Sequence, residues 1–434
     1  MRGWLTADGE WRMARGALRV AHASRVLVSA SRGNELSDAC FSARAPRIED
    51  TPACSADAEF MPSQSVTESS SRRDAATNTR DAYGTRNSAL VALLVFIALS
   101  VRGIAAAPVD EALERGVKYL LTQQEESGVI TNKGRRNETA MTSLAVLAMA
   151  ACGHQPADAT PEGRAMKKAL AYILQPDLQQ PDGYFGEKDN SRMYGHGITT
   201  LMLTEMLGMG ADAKQDDLLR DRVRKAIDLI LRAQKVPKND KARGGWRYLP
   251  SDTSSDMSVT VWQVMALRAA RNAGMEVPKE AIEGAVGYIK SLYEPEGQAD
   301  KRGRARPGGF GYQSKGNEIS TTSEGLLALQ VCGEYEAEET LGASERLFRE
   351  GIRTDERWFF YTTYYYAQGM YQRGGKYAEA GQAKVSELLL PLQSREGFWE
   401  NGGGDGREAG KVYATSMAIM SLAVKNHFLP IYQR

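Results

Sequence analysis

Three acidic residues recur at one position of a repeated pattern, where they could do acid–base chemistry. Asp256, Glu138 and Glu318 each lie four residues before an aligned threonine. Carboxylates gathered at one mouth of a helical array would suit general acid–base catalysis. Acids at helix N-termini would also offset the helix macrodipole, worth ~0.3–1 kcal/mol each, without any catalytic role. Both interpretations stay open, and Asp256 leads the candidates because three serines lie around it.

His196 is the fourth candidate for catalysis. It lies between two glycines at the start of an apolar helix, in Tyr194-Gly195-His196-Gly197. An imidazole with an ordinary pKa of about 6.5 could carry protons at a cavity mouth. The alternative is a histidine that is hydrogen-bonded within a turn.

Aromatic residues form the predicted ligand-binding set. Trp358, Tyr361 and Tyr365 share one face if their segment is helical. Such a wall would suit an isoprenoid, a carbocation held by cation–π attraction, or a stacked sugar ring. Core packing between helix layers is the alternative, since aromatic residues are frequent in cores. The full set of candidates is Tyr194, Trp262, Trp358, Tyr361 and Tyr365.

The elements that must position these residues are pairs of helices. In each pair the first helix is amphipathic and the second is apolar on most sides, which predicts an outer and an inner layer. The inner helices align at separations of 56, 62, 62, 41 and 52 residues, and five of the six aligned residues are threonine. The aligned residues are Thr142, Ile198, Thr260, Thr322, Thr363 and Thr415.

A glycine-aromatic turn joins the two helices of most pairs. Gly244-Gly245-Trp246 is the clearest copy, and the fifth pair has none. Glycine permits the positive φ of a tight reversal, and the aromatic residue can pack back on the helix ends. The other copies are Gly183-Tyr184-Phe185, Gly308-Gly309-Phe310 and Gly397-Phe398-Trp399, with Ser127-Gly128 as a reduced copy.

The repeats predict an all-α fold, an (α/α)6 toroid of six helical hairpins over residues 108–434. One hairpin cannot bury both of its faces, so neighbouring hairpins must stack. An open solenoid would need polar caps at both ends. The last helix, from Thr415 to Val424, is apolar instead, which favours closure into a ring.

The segments Gln234 through Trp246 and Gln393 through Trp399 carry a Gln, Gly and aromatic pattern. This repeat resembles that of the squalene cyclases and protein prenyltransferases, and most closely the squalene-cyclase-like proteins that form single toroids in bacteria. The resemblance covers about residues 110–430. It implies a cavity lined by aromatic residues that binds a hydrophobic or isoprenoid small molecule.

The resemblance also locates a catalytic motif and shows that it is degenerate. The D-x-D-D motif of the cyclases, whose middle aspartate protonates a polyene, falls on Asp256-Met257-Ser258-Val259. Ser258 stands at the position of the proton donor, and a serine hydroxyl is too weak an acid for that step. A terpenoid cyclase-like isomerase or transferase would therefore have an incomplete general acid.

Two alternatives follow from that gap. The first is a non-catalytic binding or scaffold toroid. The second is a carbohydrate-active toroid that uses two of Glu138, Asp256 and Glu318, for which inversion needs carboxyl groups ~6.5–9.5 Å apart.

The sequence predicts neither a cofactor nor a metal. It contains no CxxC and no HExxH, and its histidines have no neighbouring D-x-C companion such as the prenyltransferase zinc site uses. The net charge of +1 argues against a nucleic-acid partner. The oligomeric state is left open.

Composition changes near residue 107. Residues 1–107 contain 13 arginines and no lysine. Residues 1–87 are predicted to be a disordered extension, or to precede a downstream start such as Met61. Residues 88–107 are predicted to be a signal peptide or signal-anchor, because a basic flank and an Ala-rich site enclose the short apolar run 89–101. We expect an exported protein, or one that residues 89–101 anchor to the membrane.

Overall fold

The computed structural model describes residues 108–132, 137–210, 212–297, 306–400, 404–426, 428 and 430–432. The predicted extension and export signal, residues 1–107, lie outside this described part. Within it, no helix has both the length and the apolar character needed to cross a membrane.

The described chain forms six hairpins of one outer and one inner helix. The outer helices are α1 (Pro108–Thr122), α3 (Pro161–Ile173), α5 (Ala213–Gln234), α7 (Lys279–Ser291), α9 (Glu338–Glu350) and α11 (Gly375–Leu389). The inner helices are α2 (Glu138–Ala151), α4 (Arg192–Glu205), α6 (Met257–Asn272), α8 (Ile319–Val331), α10 (Phe359–Arg373) and α13 (Lys411–Leu422).

Short elements complete the described chain. Helix α12 (Gly404–Ala409) precedes α13. In the fourth hairpin, strands β1 (Tyr293–Pro295) and β2 (Gly308–Phe310) pair antiparallel, with Tyr293 opposite Phe310. The 3-10 turns are Leu390–Leu392, Ala423–Asn426 and Pro430–Tyr432.

The two layers differ in burial as their sequences predict. Inner helix α6 buries 13 of its 16 residues, whereas outer helix α7 buries 5 of 13. An outer helix has one face in solvent, but an inner helix contacts neighbours on most sides, so only the inner sequences are apolar all round.

The hairpins close into a ring. The inner helices contact one another in chain order, and the last of them, α13, packs on the first, α2. In the outer layer the Gln393 side chain donates a 2.8 Å hydrogen bond to the carbonyl of Ala112 in α1. The predicted α/α toroid of six hairpins is thereby confirmed.

A repeated glutamine joins each of several hairpins to the next. Gln234 Nε2 donates to the carbonyl of Gly244 in its own turn and to that of Ala281 in the next outer helix, both at 2.8 Å. One side-chain amide thus spans two repeats. The same pair of bonds is made by Gln124, Gln179 and Gln393.

The aligned threonines hold the glycine-aromatic turns against the inner helices. The backbone N–H of Trp246 donates to Thr260 Oγ1 at 3.0 Å. Equivalent bonds run to Thr142, Thr322 and Thr415. In the fifth hairpin, which lacks the turn, Thr363 instead donates to the carbonyl of Phe359 in its own helix at 2.7 Å.

Glycine is required where the turn passes the next outer helix. Gly244 has a φ of 92°, and a Cβ atom there would lie 2.1 Å from the carbonyl oxygen of Gly284. Gly183 repeats this geometry against the carbonyl of Lys225. A larger residue would meet both the unfavourable φ and a backbone clash.

Candidate functional site

The inner helices begin side by side on one face of the toroid. The N–H of Met193 at the start of α4 donates to the carbonyl of Tyr248, which precedes α6. The N–H of Met257 at the start of α6 donates in the same way to the carbonyl of Tyr312, which precedes α8. We call the surface formed by the starts of the inner helices the N-terminal face.

Side chains provide the same link elsewhere on the N-terminal face. Asp189 accepts from the N–H of Thr139 in α2, and Asp405 accepts from the N–H of Tyr361 in α10. Asn132 accepts from the N–H of Val412 in α13. Unpaired N–H groups of a helix start are thus satisfied by the segment before the next inner helix.

Asp256 is the N-cap of α6 and is fully buried on this face. Its Oδ1 accepts from the N–H of Val259 at 2.7 Å and from the hydroxyl of Ser258 at 2.9 Å. Its Oδ2 forms a 3.2 Å ion pair with Arg247. These three donors stabilise the ionised carboxylate.

Three tyrosines surround this ion pair. The Tyr194 hydroxyl lies 2.6 Å from Ser258 Oγ, and the Tyr194 and Tyr248 rings lie 5.7 Å apart. The hydroxyls of Tyr248 and Tyr312 are hydrogen-bonded to each other. The Arg247 guanidinium lies over both of these rings, 4.5 Å from the Tyr248 centroid and 5.9 Å from that of Tyr312.

We call this group the polar–aromatic cluster; its members are Tyr194, Arg247, Tyr248, Asp256, Ser258 and Tyr312. Its core is buried, while Arg247 keeps a side-chain exposure of 16% and Tyr312 is half-buried at the rim. The cluster therefore offers hydrogen-bonding groups and aromatic edges at the surface of a rigid helix junction. An ionised Asp256 beside Arg247 has no proton to donate, which does not suit polyene protonation.

The other two predicted acids contact different residues. Glu138 is exposed at the start of α2 and accepts a 3.4 Å hydrogen bond from the Tyr172 hydroxyl of outer helix α3. Glu318 is exposed at the start of α8 and accepts from Thr321 Oγ1 at 3.3 Å. All three acids lie at inner-helix starts, as predicted, but each has its own set of contacts.

Of the two interpretations of His196, the structure agrees with the histidine hydrogen-bonded to a turn and not with one at a cavity mouth. The imidazole is fully buried and directed at the outer layer. Its Nδ1 accepts from the N–H of Phe185 at 3.2 Å, and its Nε2 lies 3.1 Å from the carbonyl of Ala226, to which it donates. Burial lowers the pKa of His196 to about 3. In this repeat the aligned residue is Ile198, which has no hydroxyl. His196 instead accepts the hydrogen bond from the turn N–H that threonine accepts in other repeats.

The predicted ligand-binding aromatic residues fall into different environments. Trp262 and Tyr365 are fully buried, and Tyr361 is 3% exposed. Tyr361 and Tyr365 pack edge to face with centroids 4.9 Å apart, and Trp358 lies half-buried under the guanidinium of Arg357. Of the predicted set, only Tyr194 belongs to the polar–aromatic cluster.

Three members of the cluster escaped the sequence analysis: Arg247, Tyr248 and Tyr312. A signal for the tyrosines existed, because each lies two residues after the aromatic residue of a glycine-aromatic turn. The half-buried Asp189 and the buried Asp405 were also missed, since neither occupies the aligned position.

A metal site is not evident in the part of the chain that the structure describes. There, no group of three or more His, Cys, Asp or Glu side chains is arranged so that it could hold an ion.

Comparison with known proteins supports the fold. No protein-family model matches the sequence, and no curated protein matches it. Among solved structures, the α-1,6-mannanase GH76A of Salegentibacter sp. HEL1_6 is similar with a TM-score of 0.50 at 10% identity, over 73% of this chain and 99% of that one. At such identity the likeness establishes the fold alone.

Two further similar structures have lower scores. Cellobiose 2-epimerase from Bacillus thermoamylovorans B4167 has a TM-score of 0.49 at 12% identity, over 73% of this chain and 99% of that one. The type II terpene cyclase MstE from Scytonema has 0.34 at 14% identity, over 74% and 99%. The chain is an α/α toroid, and the narrower squalene-cyclase-like resemblance is not singled out among these neighbours.

Proposed function

We propose that this protein binds a saccharide on its N-terminal face, with the polar–aromatic cluster as the contact site. The observation that carries the proposal is the set of three tyrosines around the Arg247–Asp256 ion pair. Tyr312 is half-buried and Arg247 is partly exposed, whereas Tyr194 and Asp256 support them from below. A sugar would pack its C–H face on the Tyr312 ring and accept hydrogen bonds from the Arg247 guanidinium. The helix starts that carry them are rigid, which limits the entropy lost on binding.

A hydrophobic ligand, which the family resemblance implies, is less well supported. An isoprenoid over Arg247 and the hydroxyls of Tyr248 and Tyr312 would remove these groups from water without offering hydrogen bonds, which costs free energy. The buried packing of Trp262 and Tyr365 is that of core residues. Isoprenoids therefore serve as the comparison ligands in the test.

Binding, rather than hydrolysis, is the proposed activity. The polar–aromatic cluster contains one carboxylate, Asp256, whereas most glycoside hydrolysis uses a pair flanking the scissile bond. Asp256 is also engaged by three donors. The proposal thus combines the binding-module and carbohydrate alternatives that the sequence left open.

Calorimetric titration of the full-length chain tests the proposal. Because the fold is that of an α-1,6-mannanase, α-1,6-manno-oligosaccharides are the first ligands, followed by cello-oligosaccharides and by farnesol as the isoprenoid. We expect saccharide binding that weakens about tenfold in Tyr312→Ala, since one stacking side chain contributes ~1 kcal/mol or more. Tyr377→Ala, which removes another half-buried tyrosine on outer helix α11, is the matched control. Binding of farnesol but of no saccharide would contradict the proposal and favour an isoprenoid ligand.

We also propose export, as residues 88–107 predict. An exported protein would be placed to bind saccharides outside the cytoplasm. Fractionation of cells that express the full-length gene, with N-terminal sequencing of the product, tests this, and a cytoplasmic product that retains residues 88–107 would contradict it.

A further inference from the structure

A polar pocket, separate from the polar–aromatic cluster, lies on the N-terminal face at the junction of the first two hairpins. It has a volume of about 250 Å³ and lies between the start of α2 and the segment before α4. It shares no residue with the polar–aromatic cluster, although the start of α4 lies between the two. Its lining includes Asn137, Glu138, Tyr172, Leu178 and Asp189.

The backbone around this pocket adopts unusual conformations. Asn137 and Asn190 have left-handed φ values of 71° and 58°. Such conformations cost free energy and are often retained at functional sites. Asn137 is the N-cap residue of α2, and its side chain makes no capping hydrogen bond.

Asn137 is the observation that points to a ligand. Its side chain is only 1% exposed, yet in the described part of the chain neither its Oδ1 nor its Nδ2 has a hydrogen-bond partner. A buried amide without partners costs ~1–3 kcal/mol, and nearly all buried polar groups have a partner. A molecule in the pocket that both donates and accepts would supply the missing bonds.

The other lining groups restrict the chemistry of that molecule. Glu138 presents an exposed carboxylate, which accepts only, and burial with the Glu138 charge raises the pKa of Tyr172, so its hydroxyl remains a donor. Lys188 also lines the pocket, but its ammonium is paired with Asp177. An anion cannot donate to Glu138 or to Asn137 Oδ1. An ammonium cannot accept from Asn137 Nδ2. A neutral molecule with several hydroxyls satisfies all of these groups.

We propose that this pocket binds one neutral, polyhydroxylated ring, such as a single sugar unit. Tyr172 and Leu178, both largely buried, provide apolar surface for the C–H face of the ring. The pocket would be a second subsite of the saccharide-binding face, so the inference rests on the proposed function in its ligand class but uses different residues.

Asn137→Gly is the decisive variant, because glycine keeps the left-handed backbone and removes the amide. Glu138→Gln is the second variant; it changes an exposed residue and should leave folding intact. Circular dichroism confirms the fold of each. The ligands are methyl α-D-mannopyranoside and methyl β-D-glucopyranoside, with inorganic phosphate as the anion and ethanolamine as the cation, titrated into the full-length chain by saturation-transfer NMR.

We expect a glycoside to bind, and Asn137→Gly to weaken that binding about tenfold through the loss of two hydrogen bonds. Tyr377→Ala, on outer helix α11 and outside both proposed sites, should leave monosaccharide binding unchanged. If Asn137→Gly binds both glycosides as the wild type does, or if phosphate or ethanolamine binds as tightly as the glycosides, the pocket proposal fails while the cluster proposal stands. If the wild type binds neither monosaccharides nor oligosaccharides, both fail.

Discussion

Asp256 serves two structural purposes with one carboxylate, an N-cap for α6 and the anion for Arg247. Asp256→Ala should lower the free energy of unfolding by about 2–4 kcal/mol, since it removes a cap and leaves a largely buried guanidinium without its carboxylate partner. Asp256→Asn keeps a capping oxygen and should cost roughly half as much. Urea unfolding measures both, and equal losses would show that the cap contributes nothing.

At His196 the residue scale also predicts a pH dependence. The imidazole has a pKa of about 3 in the folded chain, against about 6.5 when unfolded. Between these values only the unfolded state binds the proton, so stability falls as pH decreases below about 6.5. In His196→Asn the decline should be less steep than in the wild type. Thermal melts from pH 7 to pH 4 measure this decline. An equal decline in the wild type and in His196→Asn would contradict the assignment.

On the scale of the element, the threonine bond to the turn can be tested within one chain. Thr260→Val should lower the free energy of unfolding by about 1–3 kcal/mol, because the buried N–H of Trp246 loses its acceptor. Thr363→Val is the matched control, since that hydroxyl only returns to a carbonyl of its own helix. Denaturant titrations of the two variants should differ clearly, and similar losses would reject the role assigned to the aligned threonine.

The same elements show what could be predicted from sequence. The helix pairs, the ring and the recurring Thr260 position follow from periodicity, because burial imposes a repeating pattern. That His196 takes the place of the threonine was not predicted, because it depends on side-chain direction, which spacing does not record. Tyr312 was missed because it meets Tyr248 and Arg247 only when the fourth hairpin packs against the third. Arg247 was missed because the loop before α6, and not helical spacing, brings it to Asp256.

For the whole molecule, a closed ring predicts that the joint between its two ends matters as much as an internal one. Gln393→Ala removes the amide's bonds to Ala112 in α1 and to Gly397 in its own turn, and Gln234→Ala removes the equivalent internal pair. Each should lower stability by about 1–3 kcal/mol and leave a single cooperative transition in calorimetry. An open array would instead tolerate Gln393→Ala, and its end repeats would unfold in separate steps.

Because α13 contacts α2 and Gln393 bonds to α1, the first and last hairpins also have a neighbour on both sides. The order of the hairpins along the chain can then change while the contacts between neighbouring hairpins stay the same. A circular permutant that begins between α9 and α10, with a linker from residue 432 to residue 108, should close the same toroid. The hairpin without a glycine-aromatic turn is a suitable place to cut, because its aligned Thr363 bonds to a carbonyl of its own helix and holds no such turn.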